Sequence, residues 1–403
     1  MGEHPLAVLV ESIHASADAP LREAGFDIER LSGSPGPAEL GALMRRATVV
    51  GLRSKTQLRK AQLETAGPLA AVGCFCIGTD QVDLAAAARS GVPVFNSPFS
   101  NTRSVAELTL AEIIALSRRM LEKSMQLHAG RWDKSAKQSR EVRGRTLGIV
   151  GYGHIGSQLS VLAEDLGMRV VFFDIARKLA MGNAQPLPTL EALLRASDVV
   201  SLHVPDTDRT RGMIGAPELA QMRPGAMLIN NSRGRVVDLD ALAASLRGGH
   251  LSGAAADVFP EEPAENGEGF RTPLAGLPNV ILTPHIGGST EEAQEAIAVD
   301  VAEKLARYWR HGTTATAVNF PQVDLPQVRE GLLRILHVHR NVPGVLGTMH
   351  TLLAKSGINI HAEFLQSDQE TSFVILDVDR FGDGRLLDGL RQMPETIRMR
   401  VAG

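Results

Sequence analysis

From about residue 6 to residue 285, short apolar runs alternate with segments of helical spacing. Strands joined by helices cannot pair as tight hairpins, so this alternation predicts βαβ units and parallel sheets. The runs fall into two blocks. The first ends near Pro98 and holds TVVGLRS (48–54), LAAVGCFCIGTD (69–80) and VPVFN (92–96). A long helix follows, capped at Asn101 or Thr102, with Val105, Leu108, Ile113 and Leu116 on one face. The second block opens with TLGIV (146–150), continues through RVVFF to Asp174, and adds DVVSL (198–202), AMLIN (226–230), SGAAADVF (252–259) and NVILT (279–283). Helical segments at 189–195, 216–222 and 239–247 separate these runs. Each block is expected to form a Rossmann-like, doubly wound α/β domain.

Two further features complete the layout. A helix starting near residue 289 after a Ser-Thr cap is long enough to return to the first domain, which would then be interrupted by the second. Beyond the Pro-punctuated stretch AVNFPQVDLPQ, the remaining chain reads as βαββαβ, the pattern of a small ferredoxin-like domain. The expected domains are 1–100 with 288–325, 101–287, and 330–403. A length of 403 residues, at roughly 150 per domain, independently suggests two or three.

Composition excludes several classes. A formal charge of −3 without a basic stripe offers no footprint for nucleic acid. No apolar stretch approaches the roughly 18 residues of a membrane span, and MGEHPLAVLVES lacks the charge pattern of a secretory signal, so a cytoplasmic protein is expected. Cys74 and Cys76 are too close together to form a useful staple and too few for a metal site, so no metal is expected.

Gly151, Gly153 and Gly156 directly follow an apolar strand and open a helix. Gly-x-Gly-x-x-Gly alone is a weak signal, but this context makes it a dinucleotide fingerprint: a tight turn, close approach of backbone to pyrophosphate, and close helix–strand packing. Asp174 ends the next strand, where a carboxylate can accept from ribose hydroxyls and repel a 2′-phosphate, so NAD is expected. Arg177 nearby could accommodate a 2′-phosphate, which leaves the preference over NADP open.

Three charged residues follow three strands of the second block. Arg233 lies in NNSRG, Glu262 in PEEP and His285 in TPHIGG. Ligands of open α/β sheets bind beyond the carboxyl ends of the strands, so the three are expected to converge there. Each alone has a bland reading: a surface ion pair, a loop carboxylate, a satisfied loop histidine. Together they suit hydride chemistry on a hydroxy acid. Histidine can exchange the hydroxyl proton near neutral pH, a carboxylate can hold its ring, and the arginine fork can bind a carboxylate. Spacing does not choose between Glu261 and Glu262.

At these residues the chain resembles the D-isomer-specific 2-hydroxy acid dehydrogenases, through GYGHIG, LHVP (202–205), NNSRG, DVFPEEP and TPHIGGST. The resemblance implies that Arg233, Glu262 and His285 are catalytic, and its glutamate before proline selects Glu262. It also implies that His154, Ile155, His203, Val204, Pro205, Ser232, Asp257, Gly287 and Gly288 line NAD beside the fingerprint residues. FNSPFSNTRSVAE, GLRSKT and CFCIGTDQVD look like the bacterial and fungal branch that acts on phosphoglycerate, and the C-terminal segment resembles its ACT domain.

Membership of that branch implies NAD-dependent oxidation of 3-phospho-D-glycerate to 3-phosphohydroxypyruvate, the opening step of L-serine synthesis. Arg53, Ser54, Asn101 and Lys134 would contact substrate with Arg233, since a phosphate plus a carboxylate needs more positive charge than one arginine supplies. L-serine is the implied effector, contacting His339 and Asn341 in the loop after the first ACT strand and Asn359 on the second strand. A homo-oligomer, a tetramer, is expected. The alternatives are reduction of another 2-oxo acid (2-oxoglutarate, hydroxypyruvate or glyoxylate) and a non-catalytic NAD-sensing binding protein.

Overall fold

The protein is described by a computed structural model covering residues 4–263, 266–382 and 384–402. It divides into two compact units, Met1–Ser100 with Gln294–Gly403, and Asn101–Ala293.

In the first unit, strands β1 (Leu6–Leu9), β2 (Asp27–Arg30), β3 (Val49–Leu52), β4 (Ala71–Cys74) and β5 (Val94–Asn96) form a parallel sheet in the order β2-β1-β3-β4-β5. β3 and β4 are buried throughout, as expected of parallel strands covered on both faces. The helix Glu291–His311 sends Ile297, Val301 and Leu305 into this unit's core. It passes so close to β4 that a Cβ on Gly73 would lie 2.8 Å from Val301.

The same unit carries the C-terminal sheet of β13 (Leu332–Arg340), β14 (Ile360–Ser367), β15 (Thr371–Asp379) and β16 (Thr396–Ala402). It is antiparallel, ordered β14-β15-β13-β16, as a βαββαβ chain requires. Ile335, Val374 and Leu376 pack with Met349 and Leu390 of its two helices. Leu336, Phe373 and Ile375 on the opposite face join the core of the first sheet, with Phe373 edge-on to Phe320.

The second unit holds β6 (Thr146–Val150), β7 (Arg169–Phe173), β8 (Gln185–Pro186), β9 (Val199–Leu202), β10 (Met227–Asn230), β11 (Gly253–Ala256) and β12 (Val280–Leu282). Their order is β12-β11-β10-β9-β6-β7-β8, all parallel. The winding reverses between β6 and β9, and such a switch point opens a crevice at the carboxyl ends of the strands. The helix Thr102–Arg118 packs against this sheet through Ala106, Ile113 and Leu116. Its Asn101 occupies the N-cap position without making the capping hydrogen bond expected of it.

Candidate active site

The switch point is built by close backbone approach. Gly151 follows β6 at φ +90°, and a Cβ there would lie 2.4 Å from the carbonyl oxygen of His203, which follows β9. A Cβ on Gly156 would lie 2.3 Å from the Gly151 carbonyl oxygen, whereas Gly153 faces open space. Gly153 is the N-cap of the helix His154–Asp165 and has no side chain with which to cap it, which leaves that terminus suited to an anion. Asp174, at the end of β7, accepts from the amide of Tyr152 at 2.9 Å and that of Ala176 at 2.8 Å. The acidic residue is thereby tied to the glycine turn itself.

Burial pushes the His203 imidazole down to about 4, so the ring is neutral. Its Nε2 meets Ser201 Oγ at 2.9 Å, and its buried Nδ1 has no partner among the described residues. An orphaned ring nitrogen beside an uncapped helix terminus and an open glycine turn suits a dinucleotide.

The three charged residues come together at the ends of β10, β11 and β12. His285 Nδ1 lies 2.7 Å from Glu262 Oε2, and Glu262 Oε1 accepts from the Phe259 amide at 3.0 Å. Glu262 therefore holds its own loop and the imidazole at once. Burial works against its negative charge, but the His285 hydrogen bond, the Phe259 amide and the charges of His285 and Arg233 together hold its carboxyl below the usual range. An ionised Glu262 can only accept, so His285 donates from Nδ1 and keeps Nε2 for other partners. That hydrogen bond, and behind it the charges of Glu262 and Asp257, raise the imidazole above its ordinary value against partial burial and Arg233.

His285 sits at φ +54°, a left-handed backbone rare for a residue with a side chain. Asp257 holds it there: its carboxylate accepts from Thr283 Oγ1 at 2.6 Å, Ile286 N at 2.8 Å and Gly287 N at 2.7 Å. Arg233 is half-buried and donates to the Ser232 carbonyl at 2.8 Å. Asn230 fixes its loop, accepting from Ser232 Oγ at 2.7 Å and donating to the Arg233 carbonyl at 3.1 Å. Val204 and Pro205 follow His203 beyond β9, while Ile155 lies in the first turn of the helix His154–Asp165. Asn101 is buried with its Oδ1 unpartnered among the described residues, and a Cβ on Gly288 would lie 2.1 Å from its Nδ2. Lys134 stands exposed on the segment after the helix Met120–His128.

In the other unit, Arg53 and Ser54 follow β3 in a loop gripped from two sides. Glu11 accepts from Thr56 N at 2.7 Å and Lys55 N at 3.0 Å, and Gln81 donates to the Arg53 carbonyl at 2.7 Å. Sequence reasoning singled out neither Glu11 nor Gln81; a carboxylate closing the apolar run LAVLV was the available signal. In the C-terminal sheet, His339 lies within β13, not in the loop that follows, and is buried with its Nδ1 3.3 Å from His337 Nδ1. Asn341 is in that loop and donates to the Asp368 carbonyl at 2.8 Å. Asn359 immediately precedes β14, with its amide on Asp379 at 3.0 Å.

Residues 110–287 match the model of the D-isomer specific 2-hydroxyacid dehydrogenase NAD binding domain, and residues 335–398 that of the AHAS small subunit-like ACT domain. The chain is 50% identical over 395 residues to the D-3-phosphoglycerate dehydrogenase of Haemophilus influenzae, covering 98% of this chain and 96% of that one. It is 47% identical to the Dictyostelium discoideum protein of the same name, at the same coverages. Among solved structures, the D-lactate dehydrogenase of Aquifex aeolicus, complexed with NAD and lactic acid, superposes with a TM-score of 0.64 at 27% identity, over 75% of this chain and 95% of that one. The Thermus thermophilus protein TT0316 gives 0.67 at 34% identity, over 74% and 95%. Likeness of this extent, from the first sheet through the ACT segment, makes the chain a member of the D-isomer specific 2-hydroxyacid dehydrogenase family.

Proposed function

We infer that this chain oxidises 3-phospho-D-glycerate to 3-phosphohydroxypyruvate, with NAD accepting the hydride. The observation that carries the chemistry is the 2.7 Å contact between His285 and Glu262. It leaves Nε2 of a ring with raised basicity to take the hydroxyl proton as the alcohol carbon loses hydride. Glu262 orients that ring and stabilises its protonated form, while the Arg233 guanidinium binds the substrate carboxylate and polarises the developing carbonyl. The substrate itself rests on end-to-end likeness to relatives named D-3-phosphoglycerate dehydrogenase. Arg53, Ser54, Asn101 and Lys134 would supply the further contacts that a phosphate demands.

The fingerprint glycines and the adjoining His154 and Ile155 would hold the pyrophosphate, and Asp174 the ribose. His203, Val204, Pro205, Ser232, Asp257, Gly287 and Gly288 would line the remainder of the cofactor site. The deciding experiment is initial-rate NADH formation with a panel of D-2-hydroxy acids. Phosphoglycerate should exceed lactate, glycerate and 2-hydroxyglutarate in kcat/KM, and a preference for an unphosphorylated acid would overturn the assignment.

The ACT match supports an amino-acid effector, and we take it to be L-serine, bound through His339, Asn341 and Asn359 in a homotetramer. Asparagine side chains offer both the donors and the acceptors that a zwitterion needs. Calorimetry should show serine binding that Asn341→Ala abolishes, and light scattering should give the mass of four chains.

A further inference from the structure

One carboxyl in the second unit has no part in the chemistry described so far. Glu112 lies on the helix Thr102–Arg118, in the buried stripe of Val105, Thr109, Glu112 and Leu116 that packs on the sheet. It is 3% exposed, at a position where an apolar residue would be expected. Its Oε2 accepts from Asn231 Nδ2 at 2.6 Å, and the same amide nitrogen donates to Thr109 Oγ1 at 3.0 Å. Asn231 is the residue between Asn230, which fixes the Arg233 loop, and Ser232, whose carbonyl receives the Arg233 guanidinium. The helix thus reaches the arginine loop through a single buried amide.

We propose that Glu112 is a positioning residue for the reaction: through the Asn231 side chain it sets the backbone from which Arg233 is aimed. The inference rests on the assignment of Arg233 to the substrate carboxylate. Burial pushes the Glu112 carboxyl up to about 7 against the Asn231 hydrogen bond, and the charge of Asp257 adds to the rise. Asp257 is the charged group that acts on it from the strand ends, and it is also the carboxylate that holds the amides of Ile286 and Gly287 beside His285. Glu112 is therefore a neutral acid below that pH. As it ionises, a second negative charge enters a buried site that contains one already, with no partner for Oε1 among the described residues.

The chemistry separates two substitutions. Glu112→Gln keeps the size and the acceptor for Asn231 but cannot ionise; Glu112→Leu keeps burial but leaves the Asn231 amide nitrogen with Thr109 as its one remaining acceptor and a buried N–H without one. Glu112→Gln should retain kcat and KM at pH 6. Glu112→Leu should raise the KM for the D-hydroxy acid about tenfold or more, a single polar contact's worth, with NAD affinity unchanged. A second readout needs no substrate. Between about pH 5 and pH 7 wild-type Tm should fall relative to that of Glu112→Gln and then level off, because over that range the unfolded chain gives up the Glu112 proton while the folded state still holds it. Equal kinetic loss in both variants, or kinetics unaffected in Glu112→Leu, would overturn the proposal, as would parallel Tm profiles for wild type and Glu112→Gln. If wild-type enzyme proved inactive on phosphoglycerate, the substrate assignment would fail on its own, and the same comparison would be made with the hydroxy acid that is oxidised.

Discussion

Gly234 abuts the backbone of Phe259 so closely that a Cβ at position 234 would lie 1.9 Å from the Phe259 carbonyl carbon. This contact joins the loop after β10, which carries Arg233, to the loop after β11, where the Phe259 amide is held by Glu262. Gly234→Ala should force the two loops apart. Because a shift of about 1 Å at a reacting centre can cost on the order of a hundredfold, kcat/KM should fall by at least that factor while the dinucleotide still binds. Stopped-flow NADH binding and steady-state rates on the same preparation would check this, and unchanged turnover would mean the loops are not held by that contact.

The raised basicity of His285 has a definite signature in pH. Oxidation needs the neutral ring, so kcat/KM should rise with pH through an inflection above that of an ordinary imidazole. Glu262→Gln removes the partner that stabilises the imidazolium and should move the inflection to lower pH while reducing kcat. A rate profile of the variant with its inflection unmoved would remove Glu262 from its role in setting the histidine.

Asp174 holds the glycine turn as well as facing the site assigned to ribose. Asp174→Ala should weaken NAD by about tenfold to a hundredfold, the scale of hydrogen bonds to a charged group, and NADP by much less. Fluorescence titration with both reduced cofactors tests the difference, and equal losses would reduce Asp174 to a support for the Tyr152 amide.

Much of this architecture is legible in the sequence because parallel strands buried on both faces read as near-continuous apolar runs, as VVGL and LGIV do. The edge strand Asp27–Arg30 escapes such reading. Its residues DIER carry three charges, and only pairing with β1 makes it a strand. The candidate site is legible for a different reason: charged residues shortly after apolar runs mark strand ends, which pointed to Arg233, His285 and the Glu261–Glu262 pair without the fold, the family resemblance then choosing Glu262. Glu112 is illegible on the same logic. A glutamate inside a helix reads as solvated, and its burial follows only from β10 and β11 packing on that face. Glu11 likewise reads as a loop charge until the amides of Lys55 and Thr56 are seen to close on it.

The left-handed backbone at His285 implies a conflict between folding and turnover. A residue with a Cβ is destabilised in that conformation, by roughly 1 kcal/mol, and glycine is not. His285→Gly should therefore recover backbone strain even as it deletes the proposed base, and the Tm should hold or rise as activity vanishes. Selection for thermal robustness alone would replace this histidine, so its persistence at a strained position would be maintained by catalysis against the interest of the fold.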